Sequence, residues 1–278
     1  MPFENMNSEK RRYKMLVLDL DDTLLRDDYT ISEKNRNMIF KTQELGVKVV
    51  LASGRPTPAM IRFANELDLG KYDSYIISYN GGVILEMKTN ETLFQQSLTK
   101  EEIHDLHDFS LAHNVDIITY SEKGVVSERH SEYIDIELKI TGLNHHKVPC
   151  FKTEINAPAV KCIMLENPEY LKSVESKLKE SIPHLSVARS KPFFLEIMPQ
   201  GIDKAKSISI LAERLGIKQE EIIAVGNAGN DLTMIEYAGL GVWVDNVAPE
   251  LRQKADVIVA SNNNDGVAEV IEKFIINN

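Results

Sequence analysis

Apolar and polar positions alternate in blocks along the chain, and the order of the blocks indicates an α/β fold. Short apolar runs without alternation, typical of parallel strands buried on both faces, occur at residues 14–20, 47–53 and 74–80. Helical patterning separates them, with Thr30 or Ser32 as the candidate N-cap of the first helix and Gly46 as its stop. The order strand, helix, strand, helix, strand predicts a parallel sheet.

The middle of the chain has α+β patterning instead. Helical stretches and strand-like runs are grouped at residues 99–113, 115–120, 160–166, 169–180, 185–190 and 193–199, and the last two are expected to form a hairpin. The α/β rhythm then returns with a helix near 203–215, strands at 221–227, 241–244 and 256–260, and helices near 232–239 and 266–276. We therefore predict an α/β core at 13–84 and 195–278, an inserted α+β domain at 85–194, and a polar lead-in at 1–12.

Charge and composition narrow the classes of partner. The net charge of −10 argues against a protein that coats DNA or RNA. No apolar run approaches the ~20 residues of a membrane span, and the first dozen residues lack the apolar centre of a secretory signal. The two cysteines, Cys150 and Cys162, are too few for a disulfide framework. We expect a cytoplasmic protein without nucleic-acid or membrane partners, either a monomer or a small homo-oligomer.

Polar side chains collect where three predicted strands end. They are Asp19, Asp21, Asp22 and Thr23 after the first, Ser53, Gly54 and Arg55 after the second, and Asn227, Asn230 and Asp231 after a later one. Because ligands of open parallel sheets bind outside the carboxyl ends of the strands, these residues are expected to converge despite their separation in sequence.

Asp19 and Asp21 form an acidic pair at the end of the first strand. Two carboxylates ~4 Å apart repel by roughly 4 kcal/mol at an effective dielectric constant of 20. Such a pair persists if one group is protonated or if a cation lies between them, and Mg²⁺ suits one or two carboxylates together with a phosphate. Taken alone, an acidic triplet after a strand is most often a solvated turn that caps a helix.

Four ordered segments resemble the motifs of the haloacid dehalogenase superfamily of phosphatases. They are DLDDTL at 19–24, VVLASGRP at 49–56, Lys204 in the segment GIDKAKSI, and GNAGND at 226–231. ISYNGG at 77–82 is similar to the strand-to-cap junction of the Cof-type subgroup, class IIB, which carries a C2 cap. The resemblance implies a Rossmann-like parallel-sheet core with an inserted α+β cap that confers substrate specificity.

The resemblance also implies roles for individual residues. Asp19 matches the nucleophile that forms an aspartyl-phosphate, and Asp21 matches the general acid and base. Phosphate- or substrate-binding positions match Leu20, Ser53, Gly54, Arg55, Lys204 and Asn230. Positions that hold Mg²⁺ match Asp19, Asp21, Asn227 and Asp231. Candidate substrate contacts in the cap are Arg129, His130, Arg189 and Lys191.

The function implied is Mg²⁺-dependent hydrolysis of small phosphorylated metabolites, either sugar phosphates or phosphorylated cofactors such as FMN or pyridoxal phosphate. Two alternatives stay open. A phosphomutase of the same fold would return the phosphoryl group to a sugar instead of to water. A weakly active or non-catalytic binder of phosphorylated ligands is the other alternative, and Asn227 is the residue that motivates it.

Three positions depart from the pattern of the family. Asn227 occupies the position of an aspartate that binds Mg²⁺ directly, and its amide oxygen adds no formal charge. Asp203 replaces the Ser or Asn that often precedes the lysine, and Ala205 replaces a common Gly. Weaker metal binding is therefore expected, without loss of the fold.

Asn227→Asp is expected to lower the Mg²⁺ concentration needed for half-maximal activity, because a carboxylate adds a charged ligand. A Mg²⁺ titration of both forms measures the effect. An identical metal dependence would show that residue 227 is not the limiting ligand.

Overall fold

The computed structural model describes residues 12–277, which form two compact units. Residues 1–11 of the predicted lead-in lie outside the described residues. The core unit contains the chain up to Gly54, Met60–Phe94 and the chain from Asp203 onward. The inserted unit contains Arg55–Ala59 and Gln95–Ile202.

An eight-stranded sheet forms the centre of the core unit. The first part of the chain supplies β1 (Met15–Leu18), α1 (Glu33–Glu44), β2 (Lys48–Ala52), α2 (Thr57–Glu66), β3 (Tyr75–Ser78), β4 (Val83–Glu86) and β5 (Thr92–Gln95). The predicted N-cap is confirmed at Ser32, whose Oγ accepts from the Asn35 amide at 3.1 Å. Gly46 follows the end of α1 with a φ of +81°, a conformation that glycine adopts without strain.

The inserted unit has a six-stranded sheet of its own. Its elements are α3 (Lys100–Ala112), β6 (Asp116–Ser121), β7 (Gly124–Ser127), α4 (Glu132–Thr141), β8 (His145–Lys147), α5 (Phe151–Glu154), β9 (Cys162–Leu165), α6 (Pro168–Ser181), β10 (Leu185–Lys191) and β11 (Phe194–Pro199). The predicted hairpin is confirmed, since β10 and β11 pair antiparallel. The sequence patterning missed β7, α4, β8 and α5, and β8 is only three polar residues long.

The last part of the chain completes the core unit. It supplies α7 (Lys204–Leu215), β12 (Ile222–Gly226), α8 (Leu232–Tyr237), β13 (Leu240–Val244), β14 (Val257–Val259) and α9 (Gly266–Ile271). The strand order is β14-β13-β12-β1-β2-β3-β4-β5, and the six strands from β14 to β3 are mutually parallel. The predicted α/β class with a parallel-sheet core is therefore confirmed.

The direction of winding reverses at β1, which lies between β2 and β12. From β1 the chain adds β2 and β3 on one side, and after the insertion it adds β13 and β14 beyond β12 on the other side. This is a topological switch point, where the loops at the carboxyl ends separate and leave room for a ligand.

The limits of the inserted unit differ from the predicted 85–194. The chain turns back after β3, and β4 pairs antiparallel with it, from Ser78 opposite Val83 to Tyr75 opposite Glu86. β5 extends the same sheet. The long segment of the inserted unit accordingly runs from Gln95 to Ile202, because a hairpin first widens the core sheet.

Two layers of helices cover the core sheet. On one face, Leu16 and Leu18 pack in a buried cluster with residues of α1, α2 and α9. On the other face, Met15 and Val17 pack in a cluster with residues of α7 and α8. Burial of both faces explains the apolar run without alternation. Within residues 12–277, no helix combines the length and apolarity needed to cross a membrane.

Trp243 on β13 is fully buried, and its Nε1 donates to the Leu251 carbonyl oxygen at 2.9 Å. Trp243→Ala is expected to lower the free energy of unfolding by about 3–5 kcal/mol, because it leaves a cavity and an unpaired carbonyl. Urea unfolding followed by circular dichroism measures the loss. Leu111→Ala, at a side chain that is 45% exposed, is the control and should stay within about 0.5 kcal/mol of wild type.

Candidate active site

The end of β1 places Asp19 at the switch point. Its backbone is extended and its amide donates to the Val225 carbonyl oxygen at 3.0 Å, so the residue continues the β1–β12 ladder. A wide turn, Leu20–Leu24, follows at once, and the backbone angles of Asp21 and Asp22 within it are not helical. Asp22 takes a left-handed φ of 57°, which aspartate tolerates better than most residues. The strand end thus fixes Asp19, and the turn carries Asp21.

Lys204 is the first residue of α7, and its side chain is completely buried. Its ammonium donates to Asp19 Oδ1 and Asp231 Oδ1, each at 2.6 Å, and to the Ala52 carbonyl oxygen at 2.9 Å. All three N–H donors are therefore used, and they join the ends of β1, β2 and β12.

The other oxygen of Asp231 holds the turn after β12. Oδ2 accepts from the backbone amides of Asn227 at 3.0 Å and Ala228 at 3.1 Å. Gly226 leaves the space for this carboxylate, since a Cβ there would lie 2.6 Å from Asp231 Cβ. Asn227 Oδ1 in turn accepts from Thr23 Oγ1 at 3.2 Å, which links this turn to the one after β1.

The buried charges do not balance. Two carboxylates, Asp19 and Asp231, share the single ammonium of Lys204. Burial, joined by repulsion from Asp231, raises the pKa of Asp19 to about 7 in spite of that ammonium. Burial alone would lower the pKa of Lys204, but the two carboxylates raise it above its usual range. Lys204 therefore stays protonated, and the site carries excess negative charge once Asp19 is ionised.

Comparison with known proteins identifies the family to which the chain belongs. A family model described as haloacid dehalogenase-like hydrolase matches residues 16–271. The chain belongs to this family. A crystal structure of a haloacid dehalogenase-like hydrolase from Bacteroides thetaiotaomicron is 39% identical, with a TM-score of 0.91, over 94% of this chain and 99% of that one.

Curated relatives of this haloacid dehalogenase-like hydrolase carry phosphatase names. "Putative phosphatase YxeH" of Bacillus subtilis (strain 168) is 33% identical over 95% of this chain and 99% of its own length. The 5-amino-6-(5-phospho-D-ribitylamino)uracil phosphatase YcsE of the same organism is 29% identical over 95% of this chain and 96% of its own length.

Oxygen donors of this hydrolase fit a divalent cation, but not through a cluster of acids. Within the described chain, no three His, Cys, Asp or Glu side chains form a group that could hold a metal ion. Both oxygens of Asp231 already accept hydrogen bonds from the protein, and position 227 has an amide. The excess negative charge beside Asp19 still favours a cation that takes few protein ligands, as Mg²⁺ does beside a phosphate.

The remaining predicted residues of this hydrolase lie in several environments. Leu20 is buried in the core cluster, so only its backbone is available to a ligand. Ser53 is buried, and its amide donates to the Ile77 carbonyl oxygen at 2.9 Å. Arg55, which belongs to the inserted unit, is buried and donates from Nη1 to the Ile140 carbonyl oxygen at 2.8 Å. The sequence did not indicate this carbonyl contact.

Three of the predicted cap contacts have polar partners inside the inserted unit. Arg189 pairs with Glu175 at 2.7 Å, Arg129 donates to Asn114 Oδ1 at 3.3 Å, and His130 lies 2.9 Å from Asp135 Oδ1. Lys191 is exposed at the end of β10.

One residue of the neighbourhood was missed as a candidate by the sequence reasoning. Asn80 lies beside Asn230 and Gly54, and the dipeptide Asn-Gly is a turn signal that could have drawn attention to it. Thr23, one of the residues expected to converge, contacts Asn227 through the hydrogen bond described above. Asp203, a departure from the family pattern, caps α7 by accepting from the Lys206 amide at 2.9 Å.

Without divalent cations, the stability of this hydrolase should fall relative to Asp19→Asn as the pH rises from about 4 to about 7. Folded Asp19 keeps a proton in this interval that the unfolded chain has released, because its pKa is raised from 3.8 to about 7. The difference changes by at most about 1.4 kcal/mol per pH unit. Urea unfolding of both forms in the presence of a chelator measures the two free energies of unfolding. If the value for wild type minus the value for Asp19→Asn stayed constant or rose between about pH 4 and about pH 7, the assignment would be contradicted.

Proposed function

We propose that this phosphatase hydrolyses monoesters of small phosphorylated metabolites, with Mg²⁺ as cofactor and an aspartyl-phosphate on Asp19 as intermediate. The observation that carries the proposal is the buried ammonium of Lys204 between the carboxylates of Asp19 and Asp231, at 2.6 Å from each. This arrangement holds one carboxylate in a fixed orientation at the carboxyl end of a parallel sheet, which is the requirement for an in-line nucleophile.

The phosphoryl group of the substrate binds through fixed donors. The Ser53 hydroxyl, the backbone amides that follow it, and the Asn230 amide group contact the phosphoryl oxygens. Lys204 neutralises part of their charge, and its burial makes that interaction stronger than it would be in water. These donors do not need to reorganise when the substrate binds, because the strand ends and the helix N-terminus fix their backbone.

In the first half-reaction, the Asp19 carboxylate oxygen not bonded to Lys204 attacks phosphorus. The bond between phosphorus and the ester oxygen breaks, and its electron pair goes to the leaving oxygen. Asp21 donates a proton to that oxygen, so the substrate leaves as a neutral alcohol.

In the second half-reaction, the Asp21 carboxylate accepts a proton from water as the water attacks phosphorus. The bond between phosphorus and the Asp19 oxygen breaks, and inorganic phosphate is released with Asp19 again ionised. Asp21 thus serves as acid and then as base, and both residues return to their starting protonation states.

The residues that would hold Mg²⁺ are Asp19 through its carboxylate, Asp21 through its main-chain carbonyl oxygen, and Asn227 through its amide oxygen. Asp231 supports them through Lys204 and the Asn227 amide instead of as a direct ligand. When bound, the ion supplies positive charge that stabilises the transferring phosphoryl group. The imbalance of charge beside Asp19 supports this assignment.

The relatives support a small substrate that carries its phosphate on a polyol or sugar. YcsE is named for a phosphorylated ribitylamino compound. The net charge of −10 disfavours a bulky polyanion, which would need concentrated Arg and Lys. Sugar phosphates, FMN and pyridoxal phosphate therefore form the first panel of substrates.

Asp19→Ala is expected to lower kcat for phosphate release by a thousandfold or more, on the order seen when a nucleophile is removed. A phosphate-release assay with Mg²⁺ over that panel measures it. Asp105→Ala, at an exposed aspartate on α3, is the matched control and should retain wild-type turnover.

Release of inorganic phosphate from a monophosphate substrate separates hydrolysis from phosphomutase chemistry. Absence of turnover by the wild-type protein at saturating Mg²⁺ would contradict the proposal and indicate a binding protein. Turnover that persists in Asp19→Ala would remove the nucleophile assignment.

A further inference from the structure

The turn between β3 and β4 has an unusual backbone. Tyr79, Asn80 and Gly81 have positive φ values of 53°, 55° and 110°. The left-handed region is uncommon for a bulky residue such as tyrosine, and two consecutive non-glycine residues there require firm support from their surroundings. Strain of this kind is concentrated at functional sites.

Gly81 docks this turn onto the start of α7. Its carbonyl oxygen accepts from Ser207 Oγ at 2.6 Å. A Cβ at Gly81 would collide with the Asp203 carbonyl oxygen, so only glycine allows the close approach. The turn is therefore held against the helix whose first residue is Lys204.

Asn80 contacts two further segments of the site. Its backbone amide donates to the Ser53 carbonyl oxygen at 2.9 Å. Its side-chain amide covers Gly54 so closely that a Cβ there would lie 3.1 Å from both Nδ2 and Oδ1. Its Oδ1 accepts from Asn230 Nδ2 at 3.2 Å.

We propose that Asn80 is a positioning residue that orients the amide group of Asn230 toward the phosphoryl group. An asparagine amide can present either its oxygen or its nitrogen to a ligand. By accepting one Nδ2 hydrogen, Asn80 Oδ1 fixes the nitrogen end of Asn230 and leaves the second hydrogen for a phosphoryl oxygen. A flipped amide would place an oxygen against the anionic substrate. This inference rests on the proposed phosphatase function.

The test is Asn80→Gly, since glycine keeps the left-handed backbone without strain and removes only the side chain. Loss of one oriented hydrogen bond to the substrate is expected to raise KM about tenfold with little change in kcat. In an Asn230→Ala background, the same substitution should change KM by less than about twofold, because the two residues act as one unit. Asn90→Gly, at another left-handed asparagine with φ 57°, is the matched control and should match wild type.

Equal effects of Asn80→Gly in both backgrounds would show a general structural role and overturn the proposal. So would an unchanged KM in Asn80→Gly combined with a raised KM in Asn80→Ala, since that pattern assigns the effect to backbone strain.

A second measurement does not depend on turnover. The side-chain amide signal of Asn230 in a ¹⁵N-¹H correlation spectrum is assigned by its loss in Asn230→Ala. In Asn80→Gly, its chemical shift should move toward that of an asparagine amide group exposed to solvent. An unshifted signal would overturn the proposal. If the wild-type protein showed no turnover but the Asn230 signal still shifted in Asn80→Gly, the phosphatase function would be refuted while the contact between Asn80 and Asn230 would be supported.

Discussion

The ammonium of Lys204 is the interaction on which the rest of the site depends. It is completely buried and lies 2.6 Å from a carboxylate on each side, and the two carboxylates follow strands that are separated by most of the sequence. Removal of this ammonium would leave two buried carboxylates without a compensating charge, which is strongly destabilising. The same contact orients Asp19 and neutralises charge near it. The stability of the fold and the proposed reaction therefore both require a buried ammonium at Lys204.

The topology explains why these residues meet. β1 is flanked by β2 and β12 in a parallel sheet, so the residues after all three strands share one edge. Asp19 continues the β1 ladder, Ser53 follows β2, and Asp231 holds the turn after β12 with its second oxygen. The long segment of the inserted unit follows β5, and the adjacency of β2, β1 and β12 in the core sheet is maintained. The relatives with phosphatase names share the chain over nearly its full length, which agrees with a common core.

Local signals made much of this predictable from the sequence. Apolar runs followed at once by Asp, Ser or Asn marked the strand ends, and the separate segments around Asp19, Ser53, Lys204 and Asp231 resembled four family motifs in the correct order. The limits of the insertion could not be predicted from the sequence. They depend on the pairing of β4 and β5 with the core sheet, which is a tertiary interaction that local patterning does not reveal. The contact of Arg55 with a carbonyl of α4 and the orientation of Asn80 toward Asn230 depend on side-chain packing, which spacing alone does not reveal. Asn227 could be identified as a departure, and the hydrogen bond from Thr23 became known only from the coordinates.

The most direct test of the account is to find where the phosphoryl group resides between the two half-reactions. Asp21→Asn removes the base that activates water while leaving Asp19 in place. With an aryl phosphate such as p-nitrophenyl phosphate as substrate, the leaving group needs no proton from Asp21, so the intermediate should form and accumulate. After a brief reaction with substrate and Mg²⁺, an acid quench and peptide mass mapping should show one phosphoryl group on the peptide that contains Asp19. A phosphoryl group on a different residue, or turnover in wild type with no covalent adduct trapped in the variant, would contradict the account.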